Sequence, residues 1–426
     1  VHALLDICKL VCSAVVVQIT VDSHADAYTL FASLNNRGVP LSAVDLIKNM
    51  LLGKVAGTDD KQLDYYFERW QEVLHNLGDD YKTQERFFRQ NYDAFRREVN
   101  KPFVGESGSQ LPLGSVATRS NLLKIYEKRM EVDGGALKVL DELTENSALY
   151  SKIVGLDREG LDSELSQQLS ELSRAQGVAS YLMLLFLFKK KDQLELEDET
   201  LALIVKLLVC FFVRRNLTDT PPTRDLERLF ISICENLESE SFKGIAAAKY
   251  IKKRLVDVSA SDASFKERLE GPIYDVNPDM TRYILTVLAS PSVTKETKGL
   301  WDRYASGNFV WTIEHIFPQG KNIPDEWVKM VAEGDVSKAI EVQERQVHTL
   351  GNLTITGYNS KLSNMPFITK LDRKDANGAN VGYRNGLNLN DELINTDTWT
   401  GEQIQKRTER LVKLTLKAFD FSEIRF

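Results

Sequence analysis

The sequence predicts a mainly α-helical protein with one small α+β element towards its C-terminal end. Two patterns lead there. Between residues 60 and 289 apolar side chains recur at helical spacing, and the stretches 178–188 and 201–213 are apolar nearly all round, as helices at the centre of a helical bundle are. Further on, two short strand-like runs, 311–316 and 353–356, are each followed by helix-like stretches, so a hairpin backed by helices is expected. A chain of 426 residues exceeds one ordinary core, and three segments are expected: 1–102, 103–270 and 271–426.

Composition narrows the partners. The net charge of −7 argues against a passive, sequence-independent nucleic-acid coat, which would be basic. It leaves room for a local basic groove. Cys8, Cys12, Cys210 and Cys234 sit in apolar runs without C-x-x-C spacing, which suits buried thiols in a reducing cytosol. The longest apolar runs are too short for membrane helices, so no membrane partner is expected. The chain opens on Val1 inside an apolar run, so a piece of a longer protein is expected.

Taken in order, residues 14–21 are β-branched and read as a buried strand, and 25–34 as a helix. Residues 35–40 form a turn around Gly38, and Ser42 is a good N-cap for a helix ending near Leu52. Residues 60–100 are helical, with Tyr65, Phe67, Trp70, Phe87, Phe88, Tyr92 and Phe95 on periodic faces among Arg86, Arg89, Arg96 and Arg97. That mixture can stack on single strands, but aromatics at helical spacing are more often core. Residues 101–118 break the pattern with Pro, Gly and Ser, and 119–254 return to helix. Arg214 and Arg215 close the second apolar run and read as structural cations at a helix C-terminus. A polar connector is expected at 257–264 and a helix at 280–289.

The chemistry concentrates in residues 311–370. They read W-T-I-E-H-I-F-P-Q and, after an insert, G-N-L-T-I-T-G-Y-N-S-K-L-S-N. A His ends one apolar run, an Asn heads the next, and another Asn opens a helix-like stretch. That order suits metal-assisted cutting of a phosphodiester. One imidazole can take the proton of the attacking water, worth about 10² to 10⁴ in rate. One hard divalent cation can polarise the phosphoryl oxygen, and Mg²⁺ needs few protein oxygens because it keeps several waters. His315 is the candidate base, and Glu314 and Asn359 are the candidate ligands. Strand neighbours point to opposite faces, so Glu314 and His315 can share a site only if the strand bends. Asn352 is suited to tying its loop together, and His348 reads as a turn or packing residue. Lys370 is placed as a point charge on a phosphate, and Arg407 and Lys413 as groups approaching DNA backbone.

These motifs resemble the HNH (ββα-metal) endonucleases, and more closely the C-terminal nuclease domain of the GmrSD-type modification-dependent restriction enzymes. The family pattern E-H-I-x-P-Q, G-N-L-T-L and N-x-x-L-S-N-x-x-F-x-x-K is matched by residues 314–319, by 351–355 and by Asn359, Leu362, Ser363, Asn364, Phe367 and Lys370. A further W-x-x-x-x-I-x-x-R pattern is matched by Trp399, Ile404 and Arg407. The resemblance implies an HNH nuclease domain with His315 as general base, Asn352 as the loop-bracing member of the catalytic set, and Glu314 and Asn359 on Mg²⁺ or Mn²⁺. It also implies hydrolysis of DNA, including modified phage DNA, in phage defence.

The stretch F-A-S-L-N-N-R-G-V-P-L-S-A-V-D-L-I-K-N, residues 31–49, resembles the downstream end of the same enzymes' ParB-like, nucleotide-responsive regulatory domain. There Asn35 and Arg37 would face the nucleotide pocket, while Asp45 and Lys48 more simply brace a helix. The family's D-G-Q-Q-R motif is absent, as is a phosphate-binding G-x-x-x-x-G-K-[ST] loop, so a nucleotide effector is expected to act only in the intact protein. Two rival readings stand beside the DNase: a catalytically silent protein that binds DNA or a partner on the same scaffold, and an RNA nuclease.

Overall fold

The computed structural model describes residues 2–15, 42–55, 60–99, 116–132, 135–289 and 299–426. The protein is mainly helical, with one two-stranded antiparallel sheet among the described residues. Two compact units, Val1–Lys152 and Ile153–Phe426, make up the chain. This division by compactness is coarser than the three segments read from the sequence. Asn35, Arg37, the helix expected at 25–34 and most of the strand expected at 14–21 lie outside the described residues.

In the first unit, helix Ala43–Val55 starts where its cap predicts. Ser42 Oγ accepts from the Asp45 amide at 3.0 Å and Asp45 Oδ2 accepts from the Ser42 amide at 3.3 Å, satisfying two donors at the helix start. Lys48 lies over the Phe67 ring, so Asp45 and Lys48 brace this helix. Helices Asp60–Leu77 and Tyr81–Val99 bury Trp70, Phe87, Phe88 and Tyr92. Trp70 stacks on Phe88 at 5.7 Å, and Phe87 meets Tyr150 edge-on at 5.3 Å. Trp70, Phe87, Phe88, Tyr92 and Phe95 are core, while Tyr65 and Phe67 of the same set are exposed.

In the second unit, helix Asp198–Thr218 is buried almost all round and packs on helices Ser163–Arg174, Gly244–Val258 and Asp262–Glu270. Arg214, near its end, is buried and donates to the Ala260 carbonyl at 3.0 Å, a structural role as read from its position. The polar connector is shorter than expected. Ser261 Oγ caps the Ser264 amide at 3.2 Å and starts a helix at Asp262.

The sheet pairs β1 (Thr312–His315) with β2 (Leu353–Thr356), with Glu314 opposite Thr354 and His315 opposite Leu353. Helices Asp325–Ala332 and Val336–Gln346 fill the insert, and Asn359–Leu362 and Phe367–Leu371 follow β2. Ile316, Phe317, Trp327, Leu362, Phe367 and Trp399 share the core behind the hairpin. Helix Gly401–Ala418 opens on a Thr400–Gln403 capping box and lies against the turn before β2. The approach is close: a Cβ on Gly351 would lie 2.0 Å from the Ile404 carbonyl oxygen, so no other residue fits there without moving the helix. No helix among the described residues is long and apolar enough to cross a membrane.

Candidate active site

β1 does not bend, and its two faces separate the two residues expected to work together. On one face, Glu314 is 3% exposed. Its Oε1 accepts from Lys370 Nζ at 2.6 Å and from the Tyr383 hydroxyl at 3.2 Å. Burial pushes the Glu314 carboxyl up and the Lys370 ammonium down, while their mutual contact opposes both shifts. Burial also pushes the Tyr383 phenol well up, so it stays a donor. Lys370 spends its other protons on the carbonyls of His315 at 2.9 Å and Ile316 at 3.1 Å. Two expectations are corrected here. Lys370 is 0% exposed and braces the end of β1 instead of meeting a phosphate. Glu314 lies on the face of β1 opposite His315, and its Oε1 is held by Lys370 and Tyr383, so the two residues do not form the single site expected of them.

Arg407 is corrected on the same physical ground. It is 1% exposed, and donates to the carbonyls of Gly351 at 2.6 Å, Leu353 at 2.8 Å and Leu389 at 2.9 Å. A guanidinium with five donors is well suited to collecting carbonyls that a loop leaves unpaired. Burial lowers its pKa to about 10, which keeps it charged. It locks the turn before β2 and is closed to DNA.

Asn352 ties that turn to the end of β1, as its position suggests. Its Oδ1 accepts from the Phe317 amide at 2.8 Å, and its Nδ2 donates to the carbonyls of Phe317 at 2.9 Å and Val347 at 3.0 Å. It is fully buried, so it holds the geometry and does not touch substrate. Asn359 opens the helix after β2. Its Nδ2 donates to the Ile313 carbonyl at 2.6 Å and to Thr312 Oγ1 at 3.3 Å, which turns Oδ1 away as an oxygen without a hydrogen bond among the described residues.

On the other face of β1 sits a cluster that the motifs did not reveal. His315 Nε2 is 3.1 Å from His348 Nδ1, and His348 Nε2 is 3.6 Å from Asp275 Oδ1. Tyr274 stacks on the His348 ring at 5.4 Å and meets His315 edge-on at 4.8 Å. The Tyr274 amide donates to the His348 carbonyl at 3.2 Å and fixes the segment that carries both rings. Burial, then His348, then Lys370 lower the His315 pKa to about 3, so the imidazole is neutral at neutral pH. His348 thus packs on Tyr274, as a packing residue is expected to, and also lies within hydrogen-bond distance of His315. Its signal in the sequence was a His directly before the second strand. Tyr274 and Asp275 come from a distant segment and gave none.

The fit to a metal is incomplete. Among the described residues no group of three or more His, Cys, Asp or Glu side chains could hold an ion. Of the two expected ligands, Asn359 offers Oδ1 without a hydrogen bond among the described residues, and Glu314 has its Oε1 held by Lys370 and Tyr383.

Comparison with known proteins agrees with this part of the chain. Residues 259–414 match the family model of the GmrSD restriction endonucleases, C-terminal domain. That stretch is similar to the C-terminal domain of the GmrSD restriction endonucleases. No curated protein matches the chain.

Proposed function

We propose that this chain is a DNA endonuclease of the HNH (ββα-metal) class that hydrolyses phosphodiesters with His315 as its general base. The observation that supports it best is the position of His315 at the end of β1, 3.1 Å from His348 and through it near Asp275, in a stretch that matches a restriction endonuclease domain.

The distances favour one proton arrangement. Asp275 favours a proton on His348 Nε2, which makes His348 Nδ1 an acceptor. That acceptor favours a proton on His315 Nε2, and leaves the lone pair on His315 Nδ1. His315 Nδ1 makes no hydrogen bond among the described residues, and in this reading it takes the proton of the attacking water. Asn352 and Arg407 hold the loop that sets this geometry. A divalent cation, Mg²⁺ or Mn²⁺, remains the proposed cofactor. Asn359 Oδ1 would be one donor, and the steps above are those of the chain's own residues. The proposed setting is phage defence in the cytosol, against DNA that includes modified DNA. Plaque counts on cells expressing the wild type or a His315→Ala variant test that role, and equal counts would remove it.

One observation favours the rival reading of a silent scaffold that binds without cutting: Glu314, the expected carboxylate ligand, is bound to Lys370. Supercoiled plasmid incubated with the chain and Mg²⁺ or Mn²⁺ separates the two. The nuclease reading expects nicking by the wild type and none by His315→Ala at equal DNA binding. Binding by both proteins with no nicking by either would favour the scaffold.

A further inference from the structure

Helices Ser163–Arg174 and Pro278–Ala289 and residues 299–310 bring three arginines and two rings into one alternating stack. Arg174 lies 4.6 Å from the centre of Trp301, and Arg282 lies 4.4 Å from the same ring. Arg282 is also 3.6 Å from the centre of Phe309, and Arg303 is 3.7 Å from it. Arg282 is fixed in place: it is 6% exposed, with Nε on the Trp311 carbonyl at 3.0 Å and Nη2 on the Leu300 carbonyl at 2.6 Å. Its Nη1 is buried without a hydrogen-bond partner. The five residues line a cavity of about 370 Å³.

Charge in this cavity is unbalanced. Arg174 is paired with Glu171, and Asp279 lines the cavity while accepting from Gln176 at 3.3 Å. Neither Arg282 nor Arg303 has an ion pair among the described residues, and Arg303 donates instead to the Gly307 carbonyl at 2.6 Å. Burial first, then Arg303, with Arg174 adding less, lower the Arg282 pKa to about 10, although Asp279 pulls the other way. Guanidiniums stacked on neutral rings gain from the ring faces, but they repel one another, and an anion between them removes that cost. A second cavity, of about 740 Å³, shares Arg303 and runs past Tyr304 and Trp311 to Tyr358, the neighbour of Asn359.

We propose that this stack is a phosphate-binding subsite for the nucleic-acid strand that is cut at the His315 site. The proposal rests on the nuclease reading for its direction and on the stack for its chemistry. Arginines clamp phosphate oxygens in pairs, and the shared cavity wall leads from the subsite to the hairpin. It supplies the DNA contact that Lys370 and Arg407, both buried, do not make.

The test is fluorescence anisotropy with an end-labelled oligonucleotide, using the full chain with His315→Ala so that nothing is cut. Arg174→Gln and Arg303→Gln are made singly and together, because both side chains reach the surface and Arg282 does not. Arg345→Gln, on an exposed helix of the insert, is the charge control. Each arginine variant is expected to weaken binding about tenfold and to lower the slope of log affinity on log salt by about one, with the control unchanged and all melting curves alike. Unchanged affinity and slope in the double variant, or no binding by any form, would overturn the subsite. Tighter binding of a mononucleotide than of the oligonucleotide would overturn the strand assignment in favour of a free nucleotide. Plasmid nicking is scored separately with the wild-type residue at 315. Arginine-dependent binding without nicking retracts the nuclease reading and keeps the subsite, and nicking with arginine-independent binding does the reverse.

Discussion

On one face of β1, Glu314, Lys370 and Tyr383 meet in a buried cluster in which every charge has a partner; on the other, His315, His348 and Asp275 form a chain that reaches a carboxylate 57% exposed at its side chain. Both faces carry groups that sequence motifs associate with cutting. They differ in unspent bonding capacity. Lys370 uses all three of its protons on Glu314 and on carbonyls at the end of the strand, while His315 keeps a nitrogen that no protein group occupies. A polar residue inside a motif is thus a chemical group on one face and a structural one on the other, and burial with its partners decides which.

The largest expected effect lies on the His face. His315→Ala removes the base and should lower nicking by about 10² to 10⁴, with little change in the urea midpoint of unfolding at pH 8. Loss of folding in place of loss of rate would move His315 to the structural side of the comparison.

Next comes the buried pair. Lys370→Met leaves Glu314 without its cation and should destabilise the fold by about 3–5 kcal/mol, whereas Glu314→Gln/Lys370→Met together should recover most of that. Urea unfolding of the two single variants and the double variant measures the coupling, and additive effects would show that the pair is not one unit. Arg407→Met should cost about 1–3 kcal/mol by leaving carbonyls of the β2 turn unpaired, with no change in the salt dependence of DNA binding. A reduced salt slope would restore Arg407 as a phosphate contact.

The His face should also register in the pH dependence of stability. Folding lowers the His315 pKa to about 3 from its ordinary 6.5. The unfolded chain therefore takes up a proton below pH 6.5 that the folded chain refuses. The resulting stability is complete above that pH and is lost progressively as pH falls towards 3. The wild type should therefore lose stability relative to His315→Ala as pH falls from 8 to 5, and a difference that stays constant would mean that His315 titrates normally when folded. The smallest effect is expected from His348. Its loss removes roughly one hydrogen bond from His315, so His348→Ala should lower the nicking rate about tenfold, and added imidazole should restore part of it.

Much of this was legible in the sequence. The helices of the second unit follow from apolar periodicity. Asn352 was read as a loop brace from its place between Gly351 and Leu353, and the hairpin from its two apolar runs. Arg407 was legible in principle: it lies three residues from Ile404 and four from Leu411, on the face of the helix that is buried. The Glu314–Lys370 pair was not, because it spans 56 residues and no local pattern announces a partner that far away. Tyr274 and Asp275 reach the site from outside the motif for the same reason.

The most direct test of the account sets the two faces of β1 side by side. Nicking of supercoiled plasmid with Mg²⁺ or Mn²⁺ is measured for the wild type, for His315→Ala and for Glu314→Gln/Lys370→Met, each shown to be folded by its unfolding curve. The account predicts an inactive His315→Ala and a double variant within about threefold of the wild type, since it changes the rate by less than about 1 kcal/mol. A folded double variant as inactive as His315→Ala would contradict it and return Glu314 to the reacting site.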